Sequence, residues 1–274
     1  MEIKIPEMIA VDVETTGLNP EIDRICEIAL LRIKEENIVE KFISLINPEI
    51  ENPPEIFPIS GIRYNDLKTA PFFRDVVEKI DNFIKEKILL CHNANFDIPF
   101  IKKEFERAGY QLPKVKIIDT YLIAKKFFNF ESNSLHNLSE YFNIKRISEH
   151  RAEDDAKATF EIFKLFCEEI KRKYNYEIDF IQKVIFDISQ INNRIIYDET
   201  IVEKILKVIK EKKETVIVYV SDNKKEITKR KILPIEVFDE SGVKYLKAFC
   251  YYRNEERIFR FDRIIEILEN IKNN

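Results

Sequence analysis

Acidic side chains occur at three separated points of this chain, each beside a predicted strand or helix end. Asp12 and Glu14 lie in IAVDVETTG, Asp97 ends LLCHNANFD, and HRAEDDAKA contains both His150 and Asp155. Unpaired carboxylates are costly to remove from water, so a fold that gathers them needs positive charge between them. Four carboxylates and one histidine match the needs of a two-metal phosphodiester hydrolase. The pattern therefore predicts a fold in which these distant segments converge on metal ions.

The first two acids lie on a predicted strand. Asp12 and Glu14 are two residues apart, so their side chains point to one face of the sheet, while Val11 and Val13 point to the other. In the alternative reading, one acid is exposed and the other caps the next turn, which explains the apolar surroundings less well. Gly17, in the following TTGL turn, permits the backbone to approach a ligand closely.

The second acidic segment joins a strand to a helix. Asp97 follows the buried predicted strand KILLC and lies in the first turn of a helix predicted to run from about Asn95 to Gly109. Taken alone, its position is explained as well by the attraction of an acid to a helix N terminus, which contributes about 0.3–1 kcal/mol. Its combination with the other two segments favours a site.

The third segment opens a long predicted helix, AEDDAKATFEIFKLFCEEIKRK. Asp155 shares its side of this helix with Ala152 and Ala156, which leave room for a metal ion and a substrate. The two preceding acids are rotated away by about 100° per residue and are predicted to face solvent. His150 precedes the helix, in the position of a mobile loop base. An imidazole, with an ordinary pKa of about 6.5, suits that role.

Strand and helix patterns alternate after an initial hairpin, which predicts an α/β fold with a mixed sheet flanked by helices. Strands are predicted in MIAVDVET, ICEIALLRI, VEKFISLI, KILLC and KVKIIDT. Further helices are predicted in FRDVVEKIDNFIKE, TYLIAKKFF and SLHNLSEYF. The proline-rich segment ENPPEIFPIS, at 51–60, is predicted to form a loop.

The pattern changes after about residue 171. IDFIQKVIFDISQ and DETIVEKILKVIKEK have helical spacing, and DRIIEILENI predicts a closing helix. Between them, TVIVYVS, EITKRKILPIEVF, VKYLKAFCYY and ERIFRF predict successive antiparallel strands, which indicate a small barrel. We therefore expect a first domain at 1–172, a helical linker at 173–198 and a second domain at 199–274.

Charge is distributed unevenly along the chain, whose net charge is −4. Residues 171–274 contain 22 Lys and Arg against 18 Asp and Glu, whereas residues 1–170 contain 23 against 31. An acidic first domain does not coat nucleic acid by its own charge. It can bind nucleic acid when cations fill the acidic cluster and the basic part contacts phosphate.

Other features of the sequence bear on compartment. There is no apolar run of about 18 residues, so no membrane span is predicted, and the start MEIKIPEMIAVDVET lacks the pattern of a secretory signal. The four cysteines are scattered without metal-ligand spacing, and three lie in apolar runs that predict buried, reduced thiols. We therefore expect a cytoplasmic protein without a membrane partner.

The three acidic motifs carry a family resemblance. DVETTGL, HNANFD and the H-x4-D spacing resemble the motifs of the DEDDh exonucleases, the DnaQ-like family that includes proofreading subunits of bacterial polymerase III. The resemblance covers roughly residues 7–170 and includes IDTYLIAKK and SLHNLSEYFNI. It implies a ribonuclease H-like fold, two divalent metal ions, Mg²⁺ or Mn²⁺, and removal of nucleotides from 3′ ends.

The resemblance also implies roles for individual residues. Asp12, Glu14, Asp97 and Asp155 would be metal ligands, and His150 the general base. Further residues are expected to contact the substrate, the first three at the terminal nucleotide and the others at phosphate or sugar: Thr15, Thr16, Leu18, His92, Asn93 and Asn95. Structural or supporting roles are expected for Glu27, Asp119 and His136.

Residues 199–268 resemble a WYL domain, a small Sm-like barrel found in bacterial transcription regulators and phage-defence proteins. The tripeptide that names the family is here Lys244-Tyr245-Leu246, so its first aromatic residue is missing, while FRFDR at 259–263 matches better. The resemblance implies a basic, aromatic groove for a nucleotide or nucleic acid. Its candidate residues are Tyr219, Tyr245, Arg253, Arg257 and Arg260. The alternative is a barrel core with solvated edge charges.

Together these features predict a metal-dependent 3′–5′ exonuclease acting on DNA, with a C-terminal domain that binds nucleic acid or regulates activity. An RNA exonuclease is one alternative, since the motifs do not separate DNA from RNA. A ligand-sensing regulator whose first domain only grips 3′ ends is another, although the complete set of catalytic residue types speaks against it. A polymerase or a defence system as protein partner stays open.

Overall fold

The computed structural model describes residues 5–50, 61–146, 150–174, 180–191 and 196–268. The predicted loop at 51–60 lies outside these residues. So do parts of the predicted linker, at 175–179 and 192–195. The boundaries 1–172, 173–198 and 199–274 stay a prediction.

The described residues form two compact units. The first contains those up to Ile191 except Lys125–Asn129, and the second contains Lys125–Asn129 together with the described residues from 196 onward.

A six-stranded mixed sheet forms the centre of the first unit. Its strand order is β3-β2-β1-β4-β5-β6. The first three strands are antiparallel, β1, β4 and β5 are parallel, and β6 is antiparallel to β5. The strands are β1 (Met8–Thr15), β2 (Ile25–Lys34), β3 (Asn37–Leu45), β4 (Ile88–Cys91), β5 (Lys116–Asp119) and β6 (Ile185–Asp187). This confirms the predicted α/β architecture with its five sequence-predicted strands.

Helices of the first unit bury apolar residues at helical spacing. In α2, for example, Phe73, Val77 and Ile80 are buried, while acidic and basic residues lie between them. The helices are α1 (Tyr64–Lys68), α2 (Phe73–Ile84), α3 (Ala94–Arg107), α4 (Thr120–Phe127), α5 (Leu135–Tyr141), α6 (Ala152–Tyr174) and α7 (Phe180–Val184). The long helix α6 packs against β1, β2 and β4.

Strand β6 departs from the prediction of a single helix over IDFIQKVIFDISQ. Helix α7 ends at Val184, the next three residues pair with β5 in antiparallel register, and a short 3₁₀ helix follows at Ile188–Gln190. Ile185, Phe186 and Ile188 fit a strand as well as a helix, and the open edge of β5 decides between the two. Part of the predicted linker therefore belongs to the first sheet.

The second unit is a five-stranded antiparallel sheet in the order β10-β9-β8-β7-β11. The predicted helix before it is present as α8 (Glu199–Glu211), which packs on β8 and β11. The strands are β7 (Thr215–Val220), β8 (Ile227–Glu240), β9 (Val243–Cys250), β10 (Glu255–Arg260) and β11 (Ile264–Leu268).

The predicted closing helix is wrong over its described residues. After a 3₁₀ turn at Phe261–Arg263, the chain continues as β11, which pairs with β7. The β-branched residues Ile264, Ile265 and Ile267 suit a pleated surface, and β7 offers them an unpaired edge.

None of the described helices combines the length and the hydrophobicity that a membrane span requires.

Candidate catalytic site

The central strand β1 presents two of the expected acids. Asp12 and Glu14 alternate with Val11 and Val13, which are buried on the opposite face. The parallel pairing of β1 with β4 matches Ala10 to Leu90, so β4 ends and its chain turns into α3 beside the acidic part of β1. The sheet thus brings the first two acidic segments together.

Asp97 is anchored to β1 by a backbone hydrogen bond. It is buried in the first turn of α3, and the Val13 amide donates to its Oδ1 at 3.2 Å. Asp119, at the end of β5, accepts hydrogen bonds from the amides of Asn93 and Ala94 at 3.0 and 2.9 Å. Asp119 therefore holds the start of α3, which is the supporting role that the sequence predicts for it.

Asp155 is positioned through the start of α6. Glu27 on β2, with 1% of its surface exposed, accepts hydrogen bonds from the Arg151 guanidinium at 2.7 Å and from the Ala152 amide at 3.0 Å. These contacts fasten the first turn of α6 to the sheet. Asp155 lies in that turn and is buried.

His150 lies at the entrance to α6 and is exposed. Its backbone has φ of 57°, in the left-handed region that few non-glycine residues adopt. One ligand atom each from His150, Glu14 and Asp155 lie within 4.8 Å of one another. A non-glycine residue in this conformation next to two carboxylates fits a functional position.

The four carboxylates perturb one another strongly. Burial, reinforced by the charges of Asp97, Asp155 and Glu14, raises the pKa of Asp12 well above its usual range. Burial likewise raises the pKa of Asp97 to about 8 and that of Glu14 to about 7. Burial also raises the pKa of Asp155, against the opposing charge of Arg146. Such crowding disfavours four negative charges without cations, so it is evidence for a metal site.

The donor set fits hard divalent cations. Carboxylate oxygens are the preferred protein ligands of Mg²⁺ and Mn²⁺, and one imidazole beside them is within reach of a metal-bound water. Asp12, Glu14, Asp97 and Asp155 would hold the ions. This agrees with the ligands that the resemblance implied.

Arg146 is the residue of this site that sequence reasoning missed. Its guanidinium forms an ion pair with the Asp155 carboxylate, and its side chain is 5% exposed. It also counteracts the rise in the pKa of Glu14. An arginine in a loop is usually a surface residue, so no feature of the sequence predicts this contact.

His92 lies at the turn from β4 into α3. Its Nδ1 is 2.8 Å from the Thr120 hydroxyl, which itself donates to the Cys91 carbonyl at 3.2 Å. Burial lowers the pKa of His92 to about 4, so the ring is neutral near pH 7. This placement favours support of the turn over a charged contact with phosphate. Asn93 and Asn95 are exposed on the same turn.

The expected contacts of the terminal nucleotide lie at the end of β1 and in the turn that follows it. Thr15 and Thr16 are buried, and their hydroxyls serve the loop itself: Thr15 donates to the Gly17 carbonyl at 2.6 Å, and Thr16 accepts from the Arg24 amide at 2.9 Å. Leu18 projects into solvent. Of the three side chains, Leu18 is the one exposed to solvent.

The residues expected to form a groove in the second unit have different environments: Tyr219 lies in its buried core, and the Arg260 guanidinium pairs with Asp262 at 3.0 Å. Tyr245 lies opposite Arg260 in the β9–β10 register, and the Arg260 amide donates to the Tyr219 hydroxyl at 3.4 Å. Arg257 instead pairs with a neighbouring glutamate on β10, and the guanidinium of Arg253 lies over the Tyr252 ring.

Arg230 is a further member of this region that the sequence did not single out. Its guanidinium lies 5.4 Å from the Tyr219 ring centre and 5.8 Å from that of Phe259. Arg230 is half-buried on β8, among charged neighbours that gave no sequence signal.

Two family models match the chain. Residues 9–163 match RNase_T, described as exonuclease, and residues 200–268 match the WYL domain. The first match covers more than half of the chain. Both matches coincide with the two resemblances seen in the sequence.

Several curated proteins are similar to the first unit. The DNA polymerase III subunit epsilon of Treponema pallidum is 37% identical over 157 residues, 56% of this chain and 73% of that protein. The PolC-type DNA polymerase III of Caldanaerobacter subterraneus is 36% identical over 60% of this chain and 12% of that protein. The 3′-5′ exonuclease DinG of Staphylococcus aureus is 36% identical over 59% of this chain and 18% of that protein. This chain thus spans less than a fifth of the latter two.

Solved structures share the fold. Exonuclease I of E. coli in complex with a dT13 oligonucleotide matches with a TM-score of 0.59 at 18% identity, over 89% of this chain and 55% of that chain. The nuclease domain of 3′hExo, a DEDDh family member bound to rAMP, matches with a TM-score of 0.52 at 18% identity, over 61% of this chain and 92% of that chain. The likeness confirms the ribonuclease H-like fold of the first unit.

Proposed function

This chain belongs to the RNase_T exonuclease family, and we propose that it is a metal-dependent 3′–5′ exonuclease that releases nucleotides from the 3′ ends of DNA. The observation that carries the proposal is the convergence of Asp12, Glu14, Asp97 and Asp155 from three distant segments, with His150 beside two of them. Relatives named as a DNA polymerase III subunit and as a 3′-5′ exonuclease support DNA as substrate and this direction of attack.

The residues of the site have different proposed roles in catalysis. Two divalent ions held by the four carboxylates would lower the pKa of a water molecule and stabilise the departing 3′ oxygen. His150 is placed to accept the proton of the attacking water, since its ring nitrogen lies near both Glu14 and Asp155. The Val13 amide keeps Asp97 oriented, and Glu27 keeps Asp155 oriented through α6. The site is therefore preorganised before substrate arrives.

The substrate is proposed to contact the protein at two places around this centre. Leu18, exposed after β1, is proposed to contact the terminal base, and the buried Thr15 and Thr16 shape the turn that presents it. Asn93 and Asn95, exposed at the start of α3, offer amide groups to phosphate or sugar.

The second unit is proposed to be a small Sm- or SH3-like barrel that binds nucleic acid or a nucleotide. Its 14-residue strand β8 has a register shift at Pro234, and such bulges let one strand bend between the two sides of a barrel. Tyr219, Tyr245 and Arg260 with the added Arg230 supply the aromatic and basic groups of the proposed groove.

Two alternatives have support of their own. RNA as substrate is favoured by the similarity of fold to a nuclease domain that was solved bound to rAMP. A regulator that binds 3′ ends without cleaving them is favoured by the WYL match alone.

The deciding experiment is incubation of the protein with 5′-labelled single-stranded DNA, duplex DNA and RNA, in Mg²⁺, Mn²⁺ or EDTA. Stepwise shortening of DNA from its 3′ end, abolished by EDTA, is the expected result. Preferential shortening of RNA would favour the first alternative, in which RNA is the substrate. Binding without shortening, in all metals, would favour the regulator.

A matched pair of variants controls for folding. Asp155→Ala should reduce turnover by at least about a thousandfold, because it removes a metal ligand. Asp154→Ala, one residue away, removes a carboxylate that pairs with Lys157 and should leave turnover within about threefold of the wild type. Equal losses in both variants would argue against the assigned site.

A further inference from the structure

The loop between β1 and β2 presents two large apolar side chains to solvent. Leu18 is 84% exposed and Ile22 is 72% exposed. Exposed apolar side chains on a flexible loop would fold back onto the protein surface, since that removes apolar area from water. Some feature of the structure must therefore hold the loop open.

The loop is closed at its base and braced inside. The Thr16 amide donates to the Arg24 carbonyl at 2.9 Å, and the Arg24 amide donates to the Thr16 hydroxyl at 2.9 Å. Within the loop, the Asn19 amide donates to Asp23 Oδ2 at 2.8 Å and the Asp23 amide to the Asn19 carbonyl at 2.7 Å. A Cβ on Gly17 would lie 2.3 Å from Asp23 Oδ2, so glycine alone leaves this carboxylate in place.

Arg107, the last residue of α3, fastens the outer part of the loop. Its guanidinium donates to three main-chain carbonyls: to Pro20 at 2.9 Å, to Glu21 at 3.0 Å and to Asp23 at 3.0 Å. It also donates to Glu104 at 2.8 Å. Few side chains other than arginine offer enough donors in one plane for such a set.

Glu104 ties this contact to the base of the loop. Its side chain is 1% exposed and accepts hydrogen bonds from both Arg107 and Arg24, the latter at 2.7 and 3.0 Å. A buried carboxylate that accepts hydrogen bonds from two guanidinium groups is firmly oriented, because these contacts offset the cost of removing its charge from water. Helix α3 thus carries both Asp97 and the brace of the loop.

We propose that Arg107 is a positioning residue, which holds Leu18 and Ile22 as a rigid apolar tip for contact with the terminal base of a nucleic-acid 3′ end. This inference rests on the proposed function. Arg107 itself touches no substrate. Because Arg107 restrains the loop beforehand, the loop loses less conformational entropy when the base binds. Its effect therefore falls on affinity and leaves the chemical step unchanged.

The test compares Arg107→Ala and Arg107→Lys with the wild type and with Lys103→Ala. Lys103 is the control because it forms a 2.6 Å ion pair with the Glu21 side chain but no hydrogen bond to the loop backbone. With a single-stranded oligonucleotide and Mn²⁺, Arg107→Ala should raise KM about tenfold while kcat stays within about threefold. Arg107→Lys should lie between it and the wild type, and Lys103→Ala should match the wild type.

Two further measurements separate positioning from general damage. Hydrogen exchange of the amides of Asn19 and Asp23 should accelerate in Arg107→Ala and not in Lys103→Ala. Calorimetric affinity for Mn²⁺ should be unchanged in both. Faster exchange with an unchanged KM, or weakened Mn²⁺ binding, would overturn the inference.

A double-mutant cycle with a variant that has both Leu18→Ala and Ile22→Ala tests the route of the effect. If Arg107 acts by presenting the tip, adding Arg107→Ala to this variant should raise KM little further. Additive effects would overturn the inference. If the wild type does not cleave, the proposed function fails, and the same cycle is then read from dissociation constants of a fluorescein-labelled oligonucleotide, so the two failures are distinguishable.

Discussion

Individual carboxyl groups of the site hold their protons more tightly than free acids do. Burial raises the pKa of Asp97 to about 8 and that of Glu14 to about 7. In an unfolded chain, the pKa of each carboxyl group is about 4. The folded, metal-free protein therefore binds more protons than the unfolded chain between these values. The resulting stabilisation is complete below about pH 4 and is lost as pH rises through about 8.

Metal ions should reverse this pH dependence, because they replace the protons that the carboxylates would otherwise need. We expect the rise in melting temperature caused by 5–10 mM Mn²⁺, on the order of a few degrees, to be larger at pH 8 than at pH 6. Differential scanning fluorimetry with Mn²⁺ or EDTA measures it. In Asp97→Asn the difference between the two pH values should shrink. An equal metal effect at both pH values in the wild type would contradict the assignment.

At the same scale, the motifs predict Asp12, Glu14, Asp97, His150 and Asp155 as site residues, and the structure places one ligand atom each of Glu14, His150 and Asp155 within 4.8 Å of one another. Arg146 and Arg107 were not predictable. Arg107 donates to carbonyls 84 to 87 residues away, and Arg146 pairs with Asp155 across nine residues. An isolated arginine in a sequence is consistent with any surface position.

At the scale of elements, the start of α6 depends on one buried side chain from β2. Glu27 accepts hydrogen bonds from the Ala152 amide and the Arg151 guanidinium. The position of Asp155 thus depends on this contact between β2 and α6 as well as on the helix itself.

Glu27→Ala should destabilise the protein by about 2–3 kcal/mol, because it leaves the Ala152 amide without its buried acceptor. Turnover should fall as well, since Asp155 loses its fixed position. Urea unfolding measures the first effect. The control is Glu153→Ala, which removes partly exposed ion pairs with Lys41 and Lys157 and should cost about 1 kcal/mol or less. Equal costs for the two variants would show that Glu27 has no special role.

Elements with long, regular patterns were predictable, whereas β6 and β11 were not. Both are short apolar runs that fit helix or strand, and in each case the outcome was decided by an open strand edge, on β5 or on β7, that local sequence does not reveal. Tertiary pairing overrode local propensity at these two places.

At the scale of the whole molecule, β6 extends the first sheet to residue 187, beyond the predicted boundary at 172. A chain ending after residue 191 retains all six strands of the first sheet, whereas one ending after residue 172 leaves β5 as an exposed edge. Unpaired edges promote association between chains.

We expect the 1–191 fragment to retain cleavage, with altered affinity for nucleic acid, and the 1–172 fragment to aggregate. Size-exclusion chromatography and the oligonucleotide assay measure both. Loss of cleavage in a folded 1–191 fragment would show that the second unit completes the site.

Glu27 and Ala152 are 125 residues apart in the chain and yet one hydrogen bond joins them. A nascent chain therefore cannot form this contact until the start of α6 has left the ribosome. The proposed metal ligands thus assemble late in translation, when more than half of the chain has been synthesised.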